Sequence, residues 1–209
     1  MSEPRSPWSR LVAWVKGDAA DAPPPRPPRP PVEPTEIGIR AVLALIDDPE
    51  LGVDLDDLGL LRGWDLDGGR LTVGIATTSP SCPVGPALME QARVGLAAAY
   101  PQLEVEAILS NDPPWNEADL SDFARVQLGR GGSPPEPSPG AAPLANPGVD
   151  ALLDAFAALG PDTALIVTSD TDPRPLATVL QQVEPGRFGW TWIERGPKRW
   201  RVELRRVEG

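Results

Sequence analysis

Apolar positions along this chain switch between a spacing near 3.6 and a spacing of two, and each switch marks an element. After Thr35, the set Ile37, Ile39, Val42, Leu43, Leu45 and Ile46 recurs at helical spacing. Pro49 disfavours the α region for the residue before it, so this helix is expected to end near Asp48. The runs Gly59 to Asp65 and Arg70 to Thr77, joined by Asp67-Gly68-Gly69, predict a β-hairpin. From Gly85 to Ala99 the residues Leu88, Met89, Ala92, Leu96 and Ala99 form a helical core stripe. Alternation returns over Gln102 to Leu109, a third strand, and a helix over Ala118 to Leu128 is expected to close at Gly129. The order α-β-β-α-β-α predicts a small two-layer sandwich.

A second run of the same kind follows. Asp150 to Leu159 reads as a helix, Thr163 to Ser169 as a buried strand, and Asp172 as the cap of a helix reaching Val183. Phe188 to Glu194 and Arg199 to Arg205 then form a hairpin around Gly196-Pro197, with Trp190, Trp192 and Trp200 on its faces. Residues 130–147 are rich in Pro, Gly and Ser and are expected to be a linker without a core. Ahead of both runs, Trp8, Leu11, Val12 and Val15 share one helical face, and the proline stretch Ala22 to Pro34 favours an extended spacer. The predicted class is α+β, two small two-layer α/β sandwich domains joined by a Pro/Gly-rich linker, with a Pro-rich N-terminal extension. The expected boundaries are 1–34, 35–129, 130–147 and 148–209.

Composition then narrows the chemistry. The 209 residues contain no histidine and one cysteine. That removes histidine acid-base catalysis, Ser-His-Asp and Cys-His pairs, any internal disulfide, and a zinc or iron-sulfur site built from four cysteines of one chain. The net charge of −11 is local: residues 36–129 hold five basic and sixteen acidic residues. Such a domain disfavours nucleic acid or anionic lipid as its partner and suits a basic protein surface or a metal ion. No stretch of apolar residues is long enough to span a bilayer, and the N-terminus lacks a secretory apolar core, which makes the cytoplasm the expected compartment.

Chemistry concentrates in Thr77-Thr78-Ser79-Pro80-Ser81-Cys82-Pro83-Val84-Gly85-Pro86. Cys82 falls in a strand-to-helix turn, beside the first turn of a helix whose unpaired N-H groups favour an anion. Such a position favours the thiolate, the form that binds metal or exchanges sulfur, and the prolines limit its wandering. An inert, half-buried cysteine is the competing reading. The acidic run Asp48, Glu50, Asp54, Asp56 and Asp57 would add hard oxygen ligands around one soft sulfur, a set suited to transient Fe(II) binding. Equally, the run reads as a solvated loop. Trp115 reads as a core plug or as an exposed anchor for a client protein.

Four motifs in register, Asp48-Pro49-Glu50-Leu51, Asp57-Leu58-Gly59-Leu60, Thr77 through Pro83, and Asp112-Pro113-Pro114-Trp115, resemble the metal-sulfur cluster assembly family of SufT and PaaD type. The resemblance covers residues 36–129. It implies a cytosolic accessory factor that assists iron-sulfur cluster insertion, with Cys82 as functional thiol and metal contact. Supporting residues would be Asp48, Glu50, Thr78, Ser79, Asp112 and Trp115. The cargo would be a transient iron-sulfur cluster or Fe(II), and two Cys82 thiolates of a homodimer could share a cluster. Partners would be client iron-sulfur proteins or the assembly machinery. PaaD-type members often carry extra C-terminal cysteines, so their absence here favours the SufT-like side. The pattern Ser169-Asp170-Thr171-Asp172-Pro173-Arg174-Pro175-Leu176 resembles a bacterial domain of unknown function, number 2249, which resembles the TusA-like fold. Its motif residues are Asp172 and Arg174, and Arg174 at the helix start is able to grip a carboxylate or phosphate. Turnover of a small substrate is not expected. The alternatives are a thiol-dependent enzyme with Cys82 as nucleophile and a non-catalytic adaptor.

Overall fold

Thr35 starts the first helix by capping it, its Oγ1 accepting the Gly38 N-H at 3.1 Å, and α1 runs Glu36–Leu43. The computed structural model describes residues 32–79, 81–161 and 163–207, so the amphipathic segment and most of the proline tether lie outside the described residues. Of the tether, Val32 and Pro34 are buried, and the Val32 carbonyl accepts from Gln102 Nε2 at 2.7 Å.

The first helix ends before Asp48. Instead Asp47–Asp48 (β1) pairs antiparallel with Val53–Asp54 (β2). The cause is local, because Asp48 Oδ1 accepts the N-H groups of Glu50 at 2.8 Å and Leu51 at 3.2 Å and so closes a turn incompatible with helix. The hairpin forms as its sequence predicts: β3 (Leu61–Asp67) and β4 (Arg70–Ile75) are antiparallel. Gly68 and Gly69 supply the left-handed backbone of its turn, with φ of 54° and 87°. Helix α2 (Gly85–Ala99) crosses to β5 (Glu104–Leu109), which runs parallel to β4, giving the order β3-β4-β5. Leu71, Val73 and Ile75 on β4 share a core with Leu88, Ala92 and Leu96 on α2. The helix expected over 118–128 is split into a 3-10 turn at Glu117–Asp119 and α3 (Asp122–Gln127). Ser121 makes the break, accepting the Ala124 N-H at 3.0 Å while donating its hydroxyl to Asp57 Oδ1 at 2.6 Å.

The second sheet joins β6 (Ala142–Ala145), β7 (Ala164–Ser169), β8 (Phe188–Arg195) and β9 (Trp200–Arg206) in the order β6-β7-β9-β8. Helices α4 (Val149–Ala157) and α5 (Arg174–Val183) supply Leu152, Leu153, Phe156, Ala177 and Leu180 to its core. Strand β6 pairs parallel with β7, so four residues of the segment expected to be a linker, Ala142–Ala145, join the second sheet. Upstream of β6, the Ser138 N-H and hydroxyl donate to the buried Glu203 carboxylate at 2.8 and 2.9 Å. A carboxylate on the outward face of β9 needs donors once it is covered, and this segment provides them.

Helix α1 serves both cores. Its Ile39, Val42 and Leu43 face the first, as does Ile46 just past its end, while Ala41 and the C-cap Ala44 join Phe123 in the second, beside Phe188, Trp190 and Trp192. Small residues let the backbones close up: a Cβ on Gly189 would lie 2.8 Å from Ile37 Cγ2, and one on Gly186 would lie 2.7 Å from the Tyr100 ring. The second unit is therefore packed on the first and not merely tethered to it. Among the described residues, no helix is long and apolar enough to cross a membrane.

Candidate functional site

The carboxyl ends of the parallel strands β4 and β5 lie side by side, and the turn carrying Cys82 leaves from the first. Asn111, just past β5, accepts the Thr77 N-H on its Oδ1 at 3.2 Å and ties that turn to the loop of Asp112. Thr77 is buried, and its hydroxyl donates to the Ser79 carbonyl at 2.8 Å. The same carbonyl accepts the Cys82 N-H at 3.0 Å, and the Cys82 carbonyl accepts the Gly85 N-H at 3.2 Å. These bonds fix the backbone around a free, half-buried cysteine three residues ahead of α2. Thr78 is half-buried and Ser79 is exposed, with its hydroxyl 3.2 Å from that of Ser81. Helix α2 begins with no side-chain cap and no acidic residue in its first turn. The Gly85 N-H is taken by the Cys82 carbonyl and Pro86 has none, so what the helix start offers the thiol is chiefly the positive end of its dipole.

The acidic residues expected beside the sulfur are committed elsewhere. Asp48 is 1% exposed and uses one carboxylate oxygen to close its own turn, while Glu50 projects into solvent at the tip. Asp54 Oδ1 accepts the Asp57 N-H at 2.9 Å, and Asp57 receives the Ser121 hydroxyl. Burial, reinforced by the charge of Asp57, holds the Asp54 carboxyl well above the usual carboxylate range. Burial also raises Asp57, against the pull of its Ser121 bond. Asp56 is pushed up to about 7 by burial, which outweighs the Arg40 guanidinium 2.9 Å away. Among the described residues, no hydrogen bond or ion pair joins Cys82 to Asp48 or Glu50, and no group of three or more His, Cys, Asp or Glu side chains is placed to hold a metal ion. The reading of hard oxygen ligands around the thiol is corrected accordingly: Asp48 and Asp54 close turns, Asp57 receives Ser121, Asp56 pairs with Arg40, and Glu50 is left to solvent.

Trp115 is half-buried against the first core and donates its indole N-H to the Leu58 carbonyl at 2.7 Å, so it plugs the core and ties its loop to the Asp57-Leu58 turn. Asp112 is exposed and joined to Pro113 by a cis peptide bond. In the second unit, Asp172 Oδ1 accepts the Arg174 N-H at 3.0 Å at the start of α5, and the Arg174 side chain reaches both Asp172 and Asp47. Sequence reasoning missed Asn111, Ser121, Asp47 and Arg195. Their roles depend on partners dozens of residues away, and no local pattern carries that information. An apolar groove of about 250 Å³ opens between α1, α2 and α5, lined by Val42, Ile46 and Gly95 among others and not by Cys82.

Two family descriptions match the chain. Residues 37–110 match "Iron-sulfur cluster assembly protein", and residues 149–206 match "Uncharacterized conserved protein (DUF2249)". The first region is similar to the Fe-S protein maturation auxiliary factor YitW of Bacillus subtilis, 34% identical over 92 residues, 44% of this chain and 90% of the relative. It is similar also to the Fe-S protein maturation auxiliary factor SufT of Staphylococcus aureus, 35% identical over 86 residues, 41% of this chain and 98% of the relative. A crystal structure of a domain of unknown function, DUF59, from Bacillus anthracis is 30% identical with a TM-score of 0.41, over 44% of this chain and 88% of that one.

Proposed function

This chain belongs to the iron-sulfur cluster assembly protein family, and from that membership we propose that it assists the maturation of iron-sulfur proteins, with Cys82 contacting the cluster in passage. The observation that carries the reading is the half-exposed Cys82, held by backbone hydrogen bonds ahead of a helix start that has no acidic residue and no side-chain cap. One thiolate is one ligand, whereas the common clusters take four. The cluster is therefore cargo, bound by Cys82 together with thiolates of a donor or client. Transfer is ligand exchange: a thiolate of the client replaces the Cys82 thiolate at one iron, with no change of oxidation state.

The rest of the site serves presentation. Asn111 and Thr77 fix where the turn leaves the sheet, and Trp115 anchors the neighbouring loop. Asp48 shapes the turn that exposes Glu50 and Leu51, the latter 38% exposed, as a contact for a basic protein surface. A deletion strain complemented with the full chain or with Cys82→Ser, scored by the activity of its iron-sulfur enzymes, tests the proposal. The full chain is expected to restore activity and Cys82→Ser to fail while accumulating to the same level. Equal restoration by both would rule out the thiol as the working group.

A further inference from the structure

Two arginines of the second unit converge on one oxygen of the first. Arg174 Nη1 and Arg195 Nη2 each lie 2.5 Å from Asp47 Oδ2, across 127 and 148 residues of sequence. Each guanidinium is oriented by other groups of its own domain. The Asp172 carboxylate takes the Nε edge of Arg174, with Nε 2.8 Å from Oδ2, and leaves Nη1 to point across the seam. Arg195 lies over the rings of Trp192 at 5.4 Å and Trp200 at 6.0 Å, and its side chain is only 9% exposed. A guanidinium costs much to bury without an anion: Arg195, nearly buried, has its ion pair with Asp47, and Arg174, already held by Asp172, turns Nη1 to the same oxygen.

We propose that Arg174 and Arg195, braced by Asp172, Trp192 and Trp200, form a carboxylate-binding site of the carboxyl-terminal domain, and that its ligand in this chain is Asp47. Occupation of the site holds β1, and with it the adjoining turn of Asp48, Pro49 and Glu50, against the second domain. The site is independent of Cys82 and stands even where Cys82→Ser proves silent. It gives the Asp172-Pro173-Arg174 turn a chemical task, recognition of a planar anion by arginines whose geometry is set in advance.

Hydrogen exchange of the amides in residues 47–54 reads the occupancy in the intact chain. Asp47→Asn keeps the shape and removes the charge, so those amides should exchange about ten- to hundredfold faster while protection elsewhere is kept. Asp47→Glu restores the charge and should recover most of the protection. In Asp47→Ala, added formate should slow exchange at these amides, and chloride at the same ionic strength should not. Wild-type protection in Asp47→Asn, or formate acting no better than chloride, overturns the proposal. Should the alanine variant not fold, Asp47→Asn decides alone, because it perturbs packing least.

Discussion

Asp56 shows how burial and pairing compete at one side chain. Its Arg40 partner is half-exposed, so water screens the attraction, and burial of the carboxylate prevails, raising it from 3.8 to about 7. Between those values the folded state holds a proton that the unfolded chain has lost. The stabilisation is therefore complete below about pH 4 and is lost as pH rises through about 7. Asp54 and Asp57, also raised, act in the same direction. Asp56→Asn is expected to flatten the fall in unfolding free energy between pH 5 and pH 8, on the order of a few kcal/mol, read by urea titration. Cys82→Ser belongs to the opposite class. The residue is half-buried in a turn, so its unfolding free energy should stay within about 0.5 kcal/mol of the parent while maturation of client enzymes is lost.

At the scale of elements, α1 matters most because it is packed on both sides. Gly38 sits where α1 meets Tyr100 and the turn before β8: a Cβ there would lie 2.4 Å from Tyr100 Oη and 3.0 Å from the Gly186 carbonyl oxygen. Gly38→Ala, although it favours helix intrinsically, is expected to cost about 1–3 kcal/mol by forcing those neighbours apart, read by denaturant titration. Thr35→Ala removes only the cap and should cost about 1 kcal/mol. Helix α2 and the β3–β4 hairpin were legible because apolar spacing, Gly68-Gly69 and the proline near the helix start agree. The end of α1 and the break before α3 were not. Asp48 and Ser121 look like ordinary polar residues until their hydrogen bonds to a turn and to Asp57 are seen.

The described residues form one packed body in which the carboxyl-terminal domain shares α1, receives the segment before β6 on its sheet and grips Asp47. Its thermal unfolding is therefore expected as a single transition, with calorimetric and van't Hoff enthalpies in agreement. Two separated transitions would show that the halves fold independently. The family match over residues 37–110 takes in Asp48 and Cys82 on the first unit, and the second unit is built against the turn next to Asp48.

By itself the sequence determined the class of most elements, the exclusion of histidine chemistry and of a four-cysteine site, and the strand-to-helix turn that carries the lone thiol. Each of these follows from residue type or from periodicity within one element, which is set by neighbours in the chain. Only the tertiary structure decided which carboxylates remained free, that one helix would belong to two cores, and that Arg174 would meet Asp47. A charged or polar group in a folded protein takes the partner that packing brings within about 3 Å, and packing is settled by elements far apart in the chain.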